Sequence, residues 1–364
     1  MRLQLIAAVL IAMAALLLPA RARAQSLAKI DTRSGVYQDT DRTTIATTNV
    51  AARGATSHLG AEARYLVDVI TSASVDVITA ATGAFHDVRT EVEGGADWHD
   101  DVRRLSASYV HSIENDWESH TGNVGFTQDF AHHDGTLKLG GTYVTNAVGR
   151  ANDANFHRRM IVAGGVAGLT LALSPDDLID ASYTLSYLEG YQASPYRFVS
   201  FGGAGGDVLP LSMPETDPDQ RWRNAITFRY NRHLFGETAL RSHARAYFDS
   251  WGVLSATAGT EYVVGLGHFE PAVFVRGYVQ QHATFYQPTY AQPEAFMTAD
   301  RELSTFADVF GGARLTWRRT NFSKVLDELH VEAKATGFYF RFSDFPRLSE
   351  RSGLTAELAA GVVF

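Results

Sequence analysis

The sequence predicts an all-β protein: a closed, up-and-down antiparallel transmembrane β-barrel of about 16 strands, with 14 as the alternative, behind a cleaved signal peptide. Three observations predict it. The chain opens on an export leader. Apolar and polar residues alternate with period 2 in segment after segment. The connections between those segments are alternately short and long.

The leader has three parts. Arg2 supplies the positive start, Leu5 to Leu18 is a nearly pure apolar run, and Ala22-Arg23-Ala24 is a small-x-small cleavage site before Gln25. Met1 to Ala24 therefore reads as a signal peptide and residues 25–364 as one barrel domain. No cysteine follows the cleavage site, which excludes a lipid anchor there. Loss of Arg2, Arg21 and Arg23 leaves 29 basic against 40 acidic residues, a formal charge of −11. That balance argues against nucleic-acid binding, which leaves a basic footprint. The chain has no cysteine at all, so a disulfide scaffold, a thiolate metal site and a cysteine nucleophile are excluded. The mean hydropathy is only −0.11, yet the chain holds 15 Tyr, 21 Phe and 5 Trp. Many aromatics without a long apolar run suit membrane strands better than membrane helices.

The alternation is explicit from Ile226 onward. Ile226, Phe228 and Tyr230 alternate with Thr227, Arg229 and Asn231. Leu240, Ala244, Ala246 and Phe248 oppose Arg241, His243, Arg245, Tyr247 and Asp249. Leu254, Ala256, Ala258 and Tyr262 oppose Ser255, Thr257 and Glu261. Val273, Val275, Val279 and Ala283 oppose Arg276, Tyr278, Gln280 and His282. Ala307, Val309 and Leu315 oppose Asp308, Phe310 and Arg314, and Leu329, Val331 and Ala333 oppose His330, Glu332 and Lys334. One face of each segment suits lipid and the other suits water. The last segment counts back in twos from Phe364 through Val362, Leu358 and Leu354. A terminal aromatic on such a strand reads as an assembly signal for the outer-membrane barrel machinery.

Short turns are expected near residues 54–58, 98–101, 132–135, 174–177, 235–238 and 267–269, with a slightly longer one at 319–325. Longer loops are expected at 72–87, 149–156, 190–220, 287–301 and 342–352. Short periplasmic turns and long outer loops are the pattern of outer-membrane barrels. The longest loop carries Gly202-Gly203-Ala204-Gly205-Gly206 among aromatics. No helix follows, so it is not a phosphate loop; it could enter the lumen, cover the mouth or meet a partner. The duplication VDVITSAS (Val67 to Ser74) and VDVITAAT (Val75 to Thr82) places Asp68 and Asp76 on a wet face, either in a lumenal insert or in an extended strand.

Five stretches together carry a family likeness: VDVITSASVDVIT from Val67, YTLSYLEGYQASPYR from Tyr183, PDQRWRNAITFRYNRHL from Pro218, RAYFDSWGVLSATAGTEY from Arg245 and FVRGYVQQHATFY from Phe274. In combination they resemble the bacterial proteins grouped as domain-of-unknown-function family 3570. The resemblance implies an outer-membrane barrel over nearly all of the mature chain. It also implies an envelope redox setting, because family genes are often found near thioredoxin-like and flavin-transferase genes. It carries over no biochemical activity.

The candidate site is the water-facing set Arg229, Arg241, His243, Arg245, Tyr247, Asp249, Glu261, Arg276, Tyr278, His282, Asp308 and Arg314. Facing rows of arginine and carboxylate would set a transverse field across a channel. The same residues could instead form an internal ion-pair network that braces and plugs the barrel. His243 and His282 could approach one another across strands, but hydrogen-bonded imidazoles are the simpler expectation, so no metal is assigned. Asp39-Thr40-Asp41 and Asp217-Pro218-Asp219 read as acidic loops ahead of weak Ca²⁺ sites. No Gly-x-Ser-x-Gly elbow and no His-Glu-x-x-His helix is present, so a barrel hydrolase ranks third and the protein reads as a non-enzyme without cofactor. The expected function is a porin-like channel for small polar solutes. The alternative is a plugged structural or interaction protein of the envelope. Expected partners are outer-membrane lipid and the barrel assembly machinery, with any envelope protein partner unidentified.

Overall fold

In the computed structural model, residues 27–72, 85–151, 153–202, 208–323 and 325–364 are described. The leader, the second copy of the duplication with Asp76, and residues 203–207 of the glycine-rich loop lie outside them. Sixteen strands form the wall: β1 (Leu27–Asp39), β2 (Thr43–Ala55), β3 (Leu59–Ser72), β4 (Phe85–His99), β5 (Arg103–Ile113), β6 (Trp117–Phe130), β7 (Gly135–Val148), β8 (Arg158–Ser174), β9 (Asp177–Gly190), β12 (Gln220–His233), β13 (Thr238–Asp249), β14 (Leu254–Val264), β15 (Phe269–Gln280), β16 (Phe306–Thr320), β17 (Glu328–Phe342) and β18 (Glu350–Val363). Two short strands, β10 (Phe198–Gly202) and β11 (Val208–Pro214), pair with each other in the β9–β12 connection.

Every wall strand pairs antiparallel with its neighbours, and β1 pairs with β18 from Lys29↔Val363 to Asp39↔Gly353. The sheet is therefore closed and leaves no free edge. Sixteen strands settle the count against 14. Each holds 11 to 17 residues, at least the roughly 9–11 a tilted strand needs to cross a bilayer. Among the described residues no helix is long and apolar enough to cross a membrane.

The alternation determines the two faces. Val36, Tyr109, Val124, Tyr143, Ile226, Val273, Val275, Leu354 and Leu358 are exposed although apolar or aromatic. They all lie on the outer face, where an apolar band is stable against lipid and not against water. The turns joining β2–β3, β4–β5, β6–β7, β8–β9, β12–β13 and β14–β15 are short and share one end of the barrel, the turn end. The long β9–β12 and β15–β16 connections share the other, the loop end.

The loop end is packed. Loop residues Ala283, Tyr286, Leu303 and Phe345 bury against inward side chains Phe306, Phe338, Phe340 and Phe342 of β16 and β17. Above them β10 docks on the β15–β16 connection. Gly202 N–H donates to Tyr290 O, and Tyr290 N–H to Ser200 O, over a core of Val199, Phe201, Tyr290, Met297 and Ala299. Gly190, where β9 leaves the wall, has φ of +106°, and a Cβ there would stand 2.2 Å from Arg159 O. Only glycine turns the chain inward at that point.

Candidate functional site: the charged lumen

The inward faces of β12 to β18 and β1 enclose a cavity of about 740 Å³ toward the turn end. Arg229, Arg241, His243, Glu261, Arg276 and Arg314 line it, joined by Arg33, Glu332, Lys334 and Glu357. The arginines pair sideways along the wall. Arg241 meets Glu261 at 3.2 Å, and Arg229 meets Asp180 at 2.7 Å. Arg314 reaches Glu261 at 3.2 Å, Glu270 at 3.0 Å and Glu332 at 3.6 Å, and Arg276 bonds Asp308. Arg33 bridges Glu357 at 3.0 Å and Glu332 at 3.4 Å across the β1–β18 closure.

Register explains this lateral pairing. Arg241 and Glu261 are directly opposite partners on β13 and β14, as are Arg229 and Asp180 on β12 and β9. Opposite inward residues stand about 5 Å apart at Cβ, so a carboxylate on the next strand is in closer reach than the far wall. The facing rows of the sequence reading are thus a braced, locally neutral lattice in this half. Each half-exposed pair contributes about 0.2–1 kcal/mol.

The second cavity, about 650 Å³, lies at the loop end. Its walls include Arg221, Arg223, Arg245, Tyr247, Tyr278 and Gln280, and loop residues Asp217, Asp300 and Glu302. Arg221 is bound to Asp249, and Tyr247 Oη donates to the same carboxylate at 2.7 Å. Asp249 also accepts the Trp251 and Val253 backbone N–H groups. Arg223 faces Asp249 in register but finds its oxygens taken, and its Nε is buried without a hydrogen bond. Arg245 sits between Thr227 and Thr257 in register and lies over the Tyr247 ring at 5.3 Å. Among the described residues neither Arg223 nor Arg245 forms an ion pair.

One residue of the candidate set is misplaced. His282 is not on a lumenal strand face, because β15 leaves the ladder at Gln280. The chain then turns over the lumen, with Ala283 N–H donating to Leu303 O. His282 contacts Ala283 O through Nδ1 and lies against Tyr286, while His243 lines the turn-end cavity. The two imidazoles are not brought together. The Asp39 and Asp41 carboxylates are likewise engaged, by Tyr37 Oη and the Thr43 N–H for Asp39 and by Arg301 for Asp41.

Sequence reasoning missed the amino-terminal half of the lattice, where Arg64 meets Glu91 and Glu93 at 2.7 Å and Arg53 meets Asp97 at 2.8 Å. The same alternation along β2 to β4 carries that signal. It also missed the loop anchor at Glu215, whose side chain is fully buried. Glu215 accepts hydrogen bonds from Ser194 N–H at 2.7 Å, Thr298 Oγ1 at 2.8 Å and Arg197 at 3.1 Å, and Arg197 also meets Asp300 at 2.9 Å.

Burial pushes Asp217 up to about 8, helped by the charges of Glu215 and Asp300 and opposed by Arg197 and Arg221. Its Oδ1 is buried without a partner, which fits a neutral carboxyl. Glu215 is raised for the same first reason, burial. A carboxyl raised on folding holds its proton more tightly folded than unfolded. Loop stability therefore falls as pH rises from about 4 to about 8 and levels off above. Protease cleavage within residues 191–219 should be faster at about pH 8 than at about pH 5, after correction for protease activity. Asp217→Asn should flatten that trend. A slope unchanged by the substitution would remove Asp217 from the explanation.

A model of a family described as a protein of unknown function, DUF3570, matches residues 76–329. The chain belongs to this family. Among solved structures, a bacterial polysaccharide outer membrane secretin is similar with TM-score 0.50 and 9% identity, covering 94% of this chain and 100% of the other. The outer membrane protein OpdK from Pseudomonas aeruginosa gives 0.46 at 10% identity, covering 93% and 99%. OprD from the same organism gives 0.44 at 7%, covering 94% and 98%. No curated protein matches. The closed 16-strand sheet and the secretin match give the DUF3570 chain the fold of outer-membrane barrels.

Proposed function

We propose that this DUF3570 protein is a non-enzymatic outer-membrane channel for small polar solutes, biased toward anions at its loop end. The supporting observation is the pair Arg223 and Arg245, two guanidinium groups without ion-pair partners on the wall of the 650 Å³ cavity. Unpaired cations on a narrow wall attract counter-charge in a way that the paired arginines of the other half do not. Export by the Met1–Ala24 leader belongs to this reading. So does a role for Phe364 in assembly: its N–H donates to Ala28 O at 2.8 Å, where the last strand closes on the first. Deletion of Phe364 should lower outer-membrane levels, and normal levels on fractionation would refute that role.

Single-channel recording in a planar bilayer tests the main claim. The wild-type protein should conduct with anion preference in a salt gradient. Arg223→Gln with Arg245→Gln should move the reversal potential toward cation preference. An unmoved potential in a conducting variant would overturn the assignment. A second reading, a closed structural barrel, is favoured by the aromatic packing of Phe306, Phe338, Phe340 and Phe342 against the loops. Absence of any wild-type conductance would select it.

A further inference from the structure

We infer that His111, Glu118 and His120 form a binding site for one first-row transition-metal dication on the outer rim of the β5–β6 hairpin. His111 and His120 are direct cross-strand partners, and Glu118 lies opposite Ile113. Their ligand atoms all lie within 4.8 Å of one another. His111 Nε2 stands 2.9 Å from Glu118 Oε1, and His120 Nε2 stands 3.4 Å from the same oxygen. Ligands about 2.0–2.1 Å from a tetrahedral zinc stand roughly 3.3 Å apart, so the cluster needs only small side-chain shifts. Two imidazoles and a carboxylate suit Zn²⁺, Cu²⁺ or Ni²⁺ rather than Mg²⁺ or Ca²⁺.

Two further observations point the same way. Tyr109 Oη lies 2.6 Å from His120 Nδ1. That contact orients the ring and leaves Nε2 for the cluster, as outer partners do for metal-binding histidines. The two imidazoles stack with centroids 4.7 Å apart, which sets both ring edges toward Glu118. The cluster is also accessible: its side chains are 36%, 45% and 46% exposed in chain order. It shares the outward face with Tyr109 and Ile113 and stands beside the short 114–116 connection at the loop end. Glu118 lies in the last registered pair of the hairpin and His111 and His120 two pairs in, so the exposed cluster can draw an ion, with solvent in the open coordination position, from the water at the rim.

The test uses the full chain folded in detergent micelles, stripped with chelator and titrated with Zn²⁺ by calorimetry, with Cu²⁺ bound in parallel for electron paramagnetic resonance. Wild type should bind one equivalent, and the Cu²⁺ spectrum should show two nitrogen donors. His111→Asn with His120→Asn should abolish both signals. Tyr109→Phe should weaken Zn²⁺ by roughly 10-fold or more through loss of the orienting contact. His233→Asn, at the opposite end, should change nothing. Undiminished stoichiometric binding by the double variant, or no binding by wild type, would overturn the site; the gel shift on heating reports that each variant is folded.

Discussion

Val275→Arg should destabilise the barrel by about 2–4 kcal/mol, the cost of an arginine facing lipid at mid-membrane. Val275 sits at the middle of β15, 48% exposed, between the equally outward Val273 and Val279. Its registered neighbours are Thr260 and Gly311, neither of which offers a carboxylate to the new charge. Asn231→Arg adds the same charge to the inward face, opposite Arg241 but in the turn-end cavity, where a like charge across strands costs about 1 kcal/mol or less. That variant should refold nearly as wild type. Closed barrels resist detergent until heated, so the folded fraction can be read from the gel shift between unheated and boiled samples. Equal losses for the two variants would mean the register of one strand is displaced by one residue.

The register was legible because lipid and water demand opposite chemistry on successive residues. Ile226, Phe228 and Val279 alternate with Arg229, His243 and Tyr278, and each falls on the face its chemistry requires. The strand count followed from turn spacing for a similar reason: a membrane fixes strand length, so connections recur at intervals. Alternation failed where the inner face is not wet. Ala283 continues the apolar set of β15 in sequence, yet it is fully buried in the loop packing rather than turned to lipid. His282 followed it into error. Phe338, Phe340 and Phe342 alternate correctly with Tyr339 and Arg341 but face inward, onto loops that arrive from elsewhere in the chain. An apolar inner residue gives no sign of what covers it. The candidate site was readable only as a list of inward charges. Whether an arginine is paired depends on which strand lies beside it and on diagonal reach, as Arg245 on β13 and Arg276 on β15 show on one wall. The anchor at Glu215 was beyond reach, because it joins residues 83 positions apart with no local signature.

Glu215→Ala should release the loops from the mouth of the barrel and raise conductance. The Glu215 carboxylate makes three contacts on two separate connections: the Ser194 backbone and Arg197 on the β9–β10 segment, and Thr298 on the β15–β16 connection. Truncation takes Glu215 away from Arg197, which keeps Asp300, and leaves the Ser194 N–H and the Thr298 O–H without their acceptor. Breaking one partner of a buried pair costs about 3–5 kcal/mol, because the remaining charge stays desolvated. The wall does not share that cost: its 16 strands are held by their own ladders, and among the described residues no wall side chain bonds Glu215. The loss should therefore appear as local opening, with residues 191–219 and 281–305 exchanging amide hydrogens faster while the strands stay protected. With the loops detached, the 650 Å³ cavity opens to solvent, and single-channel conductance should exceed that of wild type or appear where wild type shows none. Glu215→Gln keeps the shape and one acceptor, so its effect should be smaller. Unchanged conductance together with unchanged loop exchange in Glu215→Ala would show that the aromatic packing alone holds the mouth closed.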